Sequence, residues 1–159
     1  IENVQMAMLS AQGLQFSPWR RTRGHRAQAA QTLLEKVGLA DMSRHISDTL
    51  AYGDIKRLEL AMALVNQPRL LLMDEPTAGM SPTERHNLMG LVQFLAKERD
   101  VAVMFTEHSM DMVFSFATRI LVMAQGRILV EGTPQEVQNN PLAQSVYLGG
   151  GKTVEGETV

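Results

Sequence analysis

Apolar residues recur at three- and four-residue steps through much of the first half of the chain, which predicts amphipathic helices. A first helix is expected over residues 1–12 and a second over about residues 26–37. Residues 39–52 have no sustained period, and a third helix is predicted over about residues 53–67. The apolar stripe of this third helix consists of Ile55, Leu58, Met62 and Val65. The first half of the chain is therefore predicted to be mainly helical.

Short, unbroken apolar runs replace the helical period in the second half. Leu70–Met73 and Val101–Phe105 are entirely apolar and predict strands that are buried on both faces, as in a parallel sheet. Between them, Ser81-Pro82-Thr83-Glu84 has the form of a capping box with proline at the first helical position. The helix that begins there has an apolar stripe made of Leu88, Leu91, Val92 and Leu95.

A third strand and a hairpin follow. Arg119–Ala124 is the third predicted strand, Gln125-Gly126 is a tight turn, and Ile128–Val130 is the returning strand of a hairpin. Thr133–Glu136 is a second capping box. The succession of strand, helix, strand, helix and strand over about residues 69–124 predicts the α/β class with a parallel sheet.

Composition limits the classes of function. The 159 residues are 45% hydrophobic and 20% charged, which is enough for a packed core. The net charge of −2 provides no global attraction for nucleic acid or anionic lipid. The absence of cysteine excludes a disulfide scaffold and cysteine-based zinc or redox sites. No apolar run approaches the roughly 20 residues that span a bilayer.

An arginine-rich segment overlaps the loop predicted over residues 13–23. Its basic residues are Arg20, Arg21, Arg23, His25 and Arg26. No aromatic residue beyond Trp19 is interleaved with them, so a solvated loop near a membrane or a subunit is favoured over a nucleic-acid site.

Two adjacent carboxylates stand where the first predicted strand ends. Asp74 and Glu75 follow the apolar run directly, and α/β sheets place their binding sites at this carboxyl end of the strands. One such carboxylate can hold Mg²⁺ while the next orients a water molecule. From these residues alone, a carboxylate pair without chemistry in an ordinary turn stays open as the alternative.

Three further segments accompany these carboxylates in a fixed order. Leu50–Asp54 lies upstream and opens a helix, Ala78–Ser81 follows the carboxylates, and His108 comes just after the second strand. This ordered set resembles the ATP-binding subunit of ABC transporters, in which the segments are the signature motif, the Walker B strand, the D-loop and the switch histidine. The local sequence around them and the ending that starts at Gly132-Thr133-Pro134 look like the importers of branched-chain and other hydrophobic amino acids.

The resemblance implies a role for each of these residues. Asp74 would bind Mg²⁺, Glu75 would activate the attacking water as general base, and His108 would bind the γ-phosphate of ATP. The residues that would approach the γ-phosphate held by a second subunit are Ala51, Tyr52, Gly53, Asp54 and Gly79. Ala51 stands where the family usually has serine, so one hydroxyl donor to the phosphate is absent. Asp54 stands where the family usually has glutamine.

The phosphate-binding loop of the family is not found in this sequence. No G-x-x-x-x-G-K-[ST] pattern occurs, because Gly149–Thr153 imitates only its end and the earlier glycine falls on Val146. The resemblance therefore implies the C-terminal part of the subunit, with an incomplete P-loop NTPase-type parallel sheet. The strand absent from it would lie between the strands near residues 101–106 and 118–124. The chain by itself is expected to be inactive toward ATP.

The implied organisation has three parts. They are an α-helical signature subdomain (residues 1–66), the C-terminal part of the α/β ATPase core (residues 67–148) and a flexible tail (residues 149–159).

The implied function is that of an ATPase subunit, using ATP and Mg²⁺, of an ABC importer for branched-chain amino acids or similar small solutes. Its partners would be transmembrane permease subunits, a second ATP-binding subunit and, indirectly, a solute-binding protein, and not nucleic acid. Its place would be the cytoplasmic face of the inner membrane. The alternatives are a soluble ABC ATPase that acts on ribosomes or DNA, and a remnant without enzymatic activity.

Overall fold

The computed structural model describes residues 1–11 and 23–148, so most of the predicted arginine-rich loop and the whole predicted tail lie outside the described residues. The chain forms two compact units, the first ending at His108 and the second beginning at Ser109. In these described ranges no helix is long and apolar enough to cross a bilayer.

In chain order, the elements are α1 (Glu2–Ala11), α2 (Arg23–Lys36), a 3-10 turn (Ser47–Thr49), α3 (Tyr52–Leu64), β1 (Leu70–Asp74), α4 (Pro82–Arg99), β2 (Ala102–Thr106), α5 (Met110–Phe116), β3 (Ile120–Ala124), β4 (Arg127–Gly132), α6 (Pro134–Gln138) and α7 (Pro141–Leu148).

The first unit is built around one hydrophobic core that α1 to α4 and the β1–β2 sheet share. Leu34, Leu64 and Leu95 are among its fully buried side chains. Burial of each such leucine contributes about 1.5–3 kcal/mol relative to leaving it exposed. The residues buried in this core are Val4, Ala30, Leu33, Leu34, Val37, Leu39, Leu58, Leu60, Ala61, Leu64, Leu71, Val92, Leu95 and Val101.

The helix predicted after residue 52 is confirmed as α3, but its predicted apolar stripe is wrong in part. Of the four predicted positions only Leu58 is buried, and the other three are half-buried. The buried residues of α3 are Leu58, Leu60, Ala61 and Leu64. The helix contacts α1, α2 and α4, so neighbours cover a wider face of α3 than a single stripe and bury a different set of positions.

Strands β1 and β2 pair in parallel over their full length, and side chains along each strand alternate between the two faces of the sheet. Leu71 is buried in the core on one face. On the other face, Leu70, Leu72 and Met104 are 51%, 67% and 52% exposed. The prediction that both faces are buried is therefore wrong, because the core of the first unit covers one face only of this two-stranded sheet.

The second unit contains the predicted hairpin, which is confirmed. Gln125 and Gly126 have φ angles of 50° and 74°, as a type I′ turn requires, and β3 and β4 pair antiparallel on either side. Ile120, Val137 and Ala143 form the buried cluster of this unit. Among the described residues β3 pairs with β4. The third predicted strand is thus confirmed as β3, and β4 is its antiparallel partner, as the predicted hairpin requires.

Both predicted capping boxes are present. The Ser81 hydroxyl accepts a hydrogen bond from the backbone N–H of Glu84, and the Glu84 carboxylate accepts one from the backbone N–H of Ser81 at 2.9 Å. Thr133 and Glu136 repeat the arrangement at the start of α6. These bonds satisfy N–H groups that have no acceptor within the helix. The two helix starts were predictable because the bonds are local.

Replacing Ser81 with alanine is expected to lower the free energy of unfolding by about 0.5–2 kcal/mol, the usual cost of losing an N-cap. Hydrogen bonds from the Ser81 hydroxyl, and then from the Ser81 backbone N–H, hold the pKa of Glu84 below its ordinary value of 4.5. The contribution of Glu84 to the free energy of unfolding is therefore fully present above its ordinary pKa of 4.5. It is lost as the pH falls from there through the lowered pKa of the folded state. Urea unfolding of wild type and Ser81→Ala between pH 7 and pH 3 measures both effects; equal stability at pH 7 would contradict the first.

Candidate functional site

The carboxylates predicted at the end of β1 lie beside the end of β2. Asp74 is the last residue of β1 and stands in register with Thr106, the last residue of β2. The Thr106 hydroxyl donates a hydrogen bond to Asp74 Oδ1. The backbone N–H of Glu75 donates to the Thr106 carbonyl oxygen at 3.2 Å and to Thr106 Oγ1 at 3.1 Å. Thr106 thus holds both carboxylate residues at one edge of the sheet.

The predicted histidine meets the second carboxylate. His108 Nε2 lies 2.8 Å from Glu75 Oε1, and the two side chains are 87% and 46% exposed. An ionised carboxylate only accepts hydrogen bonds, so Nε2 carries the proton in this contact. The structure therefore brings together Asp74, Glu75, Thr106 and His108, which we call the carboxylate cluster.

Glu75 has an unusual backbone conformation for a residue with a side chain. Its φ angle is 42°, in the left-handed region, which costs roughly 1–2 kcal/mol for a residue other than glycine. The two bonds to Thr106 and a turn bond from the Ala78 N–H to the Glu75 carbonyl oxygen (3.1 Å) hold it there. Strained residues of this kind concentrate at functional sites.

A second link joins the two loops that follow β1 and β2. Glu107 Oε1 accepts from the Thr77 backbone N–H at 3.1 Å and from the Thr77 hydroxyl. Thr77 is only 1% exposed. Neither residue was singled out from the sequence. The sequence signal that could have identified them is their position. Glu107 directly precedes His108, and Thr77 lies two residues after Glu75.

The signature segment, residues 51–54, forms the first turn of α3. Ala51 is the N-cap residue and makes no side-chain capping bond. The N–H groups of Tyr52 and Gly53, the first two helical residues, have no acceptor within the helix. A helix start with free N–H groups attracts anions. Asp54 partly opposes this, although Arg57 lies 3.9 Å from its carboxylate.

The D-loop lies next to the signature segment within the first unit. Gly79 has a φ angle of 76°, and a side-chain carbon added there would lie 3.8 Å from Tyr52 Cε1. A side-chain carbon added at Gly53 would lie 3.6 Å from Glu84 Oε1. In the described part of the chain no hydrogen bond connects residues 51–54 with the carboxylate cluster. The predicted site residues thus fall into two groups within one subunit.

The carboxylate cluster can bind a metal ion only together with a bound phosphate. No group of three or more aspartate, glutamate or histidine side chains that could hold a metal occurs within residues 1–11 and 23–148. Asp74 offers one carboxylate at the strand end. Mg²⁺ is typically bound through one or two carboxylates together with phosphate oxygens and waters, so a single aspartate fits that mode.

Comparison with known proteins identifies the family. Residues 2–78 match the family model of the ABC transporter, and residues 127–153 match that of the branched-chain amino acid ATP-binding cassette transporter. Over residues 2–78 and 127–153 this chain is similar to the ATP-binding subunits of ABC transporters. The family resemblance predicted from the motifs is thereby confirmed.

The ABC relatives include proteins named for branched-chain amino acid transport. The high-affinity branched-chain amino acid transport ATP-binding protein LivG of Salmonella typhimurium is 39% identical over 86% of this chain and 54% of its own length. The corresponding protein BraF of Pseudomonas aeruginosa is 38% identical over 82% of this chain and 51% of its own. The chain spans about half the length of these curated relatives.

Solved structures confirm the ABC fold. The structure of cbiO1 from Clostridium perfringens, part of the ABC transporter complex cbiONQ, is 26% identical with a TM-score of 0.72, over 85% of this chain and 52% of that one. An ATP-binding cassette of an ABC transporter is 24% identical with a TM-score of 0.75, over 91% of this chain and 62% of that one. The predicted α/β fold of the P-loop NTPase type is thus confirmed.

Proposed function

We propose that this chain is part of the ATP-hydrolysing subunit of an importer for branched-chain amino acids or similar small solutes. The contact between His108 Nε2 and Glu75 Oε1 at 2.8 Å, beside Asp74 at the edge of the sheet, carries the proposal. The names of LivG and BraF support the solute class. They support transport over the alternative of a soluble ABC ATPase that acts on ribosomes or DNA.

Each member of the carboxylate cluster has a role in this proposal. Asp74 would hold Mg²⁺, which when bound would neutralise charge on the phosphate oxygens of ATP. Glu75 is the general base, because its exposed carboxylate can accept the proton of the attacking water. When ATP is bound, His108 would donate a hydrogen bond from Nε2 to the γ-phosphate, in place of the contact with Glu75 that Nε2 makes here.

The signature segment has its role in a dimer. The free N–H groups of Tyr52 and Gly53 at the start of α3, next to Gly79, bind the γ-phosphate of ATP held by a second ATP-binding subunit. Ala51 contributes no hydroxyl, so this contact rests on backbone donors. The helical part, residues 1–66, contacts a transmembrane permease subunit at the cytoplasmic face of the inner membrane. A solute-binding protein takes part indirectly.

Co-expression tests the proposed assembly. The longer subunit that carries this chain is expected to co-purify with its permease subunits from detergent-solubilised membranes, and the complex is expected to release phosphate from Mg-ATP. Charge reversal of the predicted loop at Arg20–Arg26 serves as the assembly variant and is expected to weaken co-purification. Co-purification that is unaffected by substitutions throughout residues 1–52 would count against the assignment of this surface.

A further inference from the structure

The loops after β1 and β2 continue side by side past the end of the sheet. Three links join them: Thr106 to the backbone N–H of Glu75, His108 to the carboxylate of Glu75, and Glu107 to Thr77. The first two belong to the carboxylate cluster. The third links residues to which neither the sequence motifs nor the proposed mechanism gives a role.

The link between Glu107 and Thr77 is chemically strong and locally enclosed. One carboxylate oxygen, Glu107 Oε1, accepts both donors of Thr77, its backbone N–H and its hydroxyl. Hydrogen bonds to an ionised acceptor are stronger than those between neutral groups. Since Thr77 is 1% exposed, its two donors have little access to solvent, and leaving them without the carboxylate is costly.

Thr77 controls the backbone on both sides of it. The turn bond from Ala78 to Glu75 and the bond from the Met80 N–H to the Thr77 carbonyl oxygen (3.2 Å) tie Thr77 into the segment that begins at Glu75. Glu75 itself is held at a φ angle of 42°. A residue in this region returns to an ordinary conformation unless its surroundings prevent it. Fixing Thr77 therefore helps to fix Glu75.

We propose that Glu107 is a positioning residue for the hydrolytic site. By holding both donors of Thr77, it keeps Glu75 in its left-handed conformation, with the carboxylate against His108. The inference rests on the proposed role of Glu75 as general base. It assigns Glu107 no contact with the reacting atoms, so the effects of Glu107 substitutions pass through Glu75.

Amide hydrogen exchange in the assembled subunit tests the positioning directly. Glu107→Ala is expected to accelerate exchange of the Thr77 and Glu75 amides by at least about tenfold. Glu107→Gln, whose amide oxygen can still accept both donors, is expected to restore most of the protection. The amides of α4 report on global unfolding and are expected to stay unchanged. A change confined to Thr77, with Glu75 unaffected, would overturn the inference.

A matched control exists in the second unit. Glu136 Oε2 accepts the backbone N–H (2.8 Å) and the hydroxyl (2.9 Å) of Thr133, the same pair of donors that Glu107 accepts from Thr77. Glu136→Ala therefore removes the same two kinds of hydrogen bond, here from an exposed helix start that has no place in the mechanism. It is expected to leave exchange at Glu75 unchanged and ATP turnover at the wild-type level.

Steady-state kinetics separate positioning from a merely structural role. Glu107→Ala is expected to lower kcat about 10²-fold, the scale of a small misplacement of a catalytic group, with the KM for ATP unchanged and with rescue by Glu107→Gln. If Glu107→Ala assembles poorly, Thr77→Val, which removes only the hydroxyl donor, is expected to give a smaller loss of kcat in the same direction.

The double variant distinguishes the two proposals. In a Glu75→Gln background, Glu107→Ala is expected to cause no further loss of turnover, since its effect passes through Glu75. A further loss comparable to that in wild type would overturn the inference. Wild-type turnover in Glu75→Gln would instead refute the proposed role of Glu75 as general base, while the exchange rate of the Glu75 amide would still decide whether Glu107 positions that residue.

Discussion

Glu75→Gln is expected to reduce ATP turnover by the assembled transporter by about 10²–10⁴-fold while ATP stays bound. The amide is nearly the same size as the carboxylate but cannot accept the proton of the attacking water. Asp74 keeps its hydrogen bond from Thr106 and its capacity to bind Mg²⁺. Phosphate release and equilibrium binding of ATP, measured on the same preparation, separate loss of chemistry from loss of binding.

A matched substitution controls for the change of charge. Glu131 lies on β4 and pairs with Arg119 Nε at 2.7 Å, so Glu131→Gln removes one paired carboxylate that has no proposed catalytic role. It is expected to retain turnover close to that of wild type. Near-normal turnover in Glu75→Gln would remove Glu75 from the mechanism.

The 159-residue chain by itself is expected to bind ATP only at millimolar concentration or weaker. The sequence contains no G-x-x-x-x-G-K-[ST] loop, which supplies several backbone N–H donors and a lysine to the phosphates. Hydrogen bonds to charged groups contribute roughly 1.5–3 kcal/mol each, so four fewer amount to about 6–12 kcal/mol. A micromolar site has about 8 kcal/mol in total. Without the lysine, Asp74 and Glu75 also repel triphosphate.

Isothermal titration calorimetry of the purified chain with Mg-ATP measures this directly. The exposed apolar face at Leu70, Leu72 and Met104 favours self-association of the isolated chain, so light scattering is recorded on the same sample to establish that it is monodisperse. Saturable binding at micromolar ATP would show that the chain holds the phosphates without this loop.

Local features of the fold were predictable from the sequence. The capping box at Ser81 and Glu84 and the turn at Gln125-Gly126 depend on residues within a few positions of each other. The positions of Asp74 and Glu75 at a strand end follow from the apolar run that precedes them. The proximity of Glu75 and His108 could be expected because parallel strands end at the same edge of a sheet.

Features that depend on distant neighbours were not predictable in the same way. Apolar runs indicate that a strand can be buried, but whether Leu72 is covered depends on what packs against that face, and it is 67% exposed. The set of buried positions on α3 likewise depends on three other helices. Thr77 and Glu107 are 30 residues apart in sequence, and only the register of β1 and β2 reveals that they meet.

ATP-driven uptake of leucine into vesicles that contain the assembled transporter is the most direct test of the central claim, which is that hydrolysis at Glu75 is coupled to import. With Mg-ATP on the side of the ATP-binding subunits, wild type is expected to accumulate leucine, and Glu75→Gln is expected to lose accumulation while remaining assembled and able to bind ATP. Accumulation by Glu75→Gln at the wild-type rate would contradict the account.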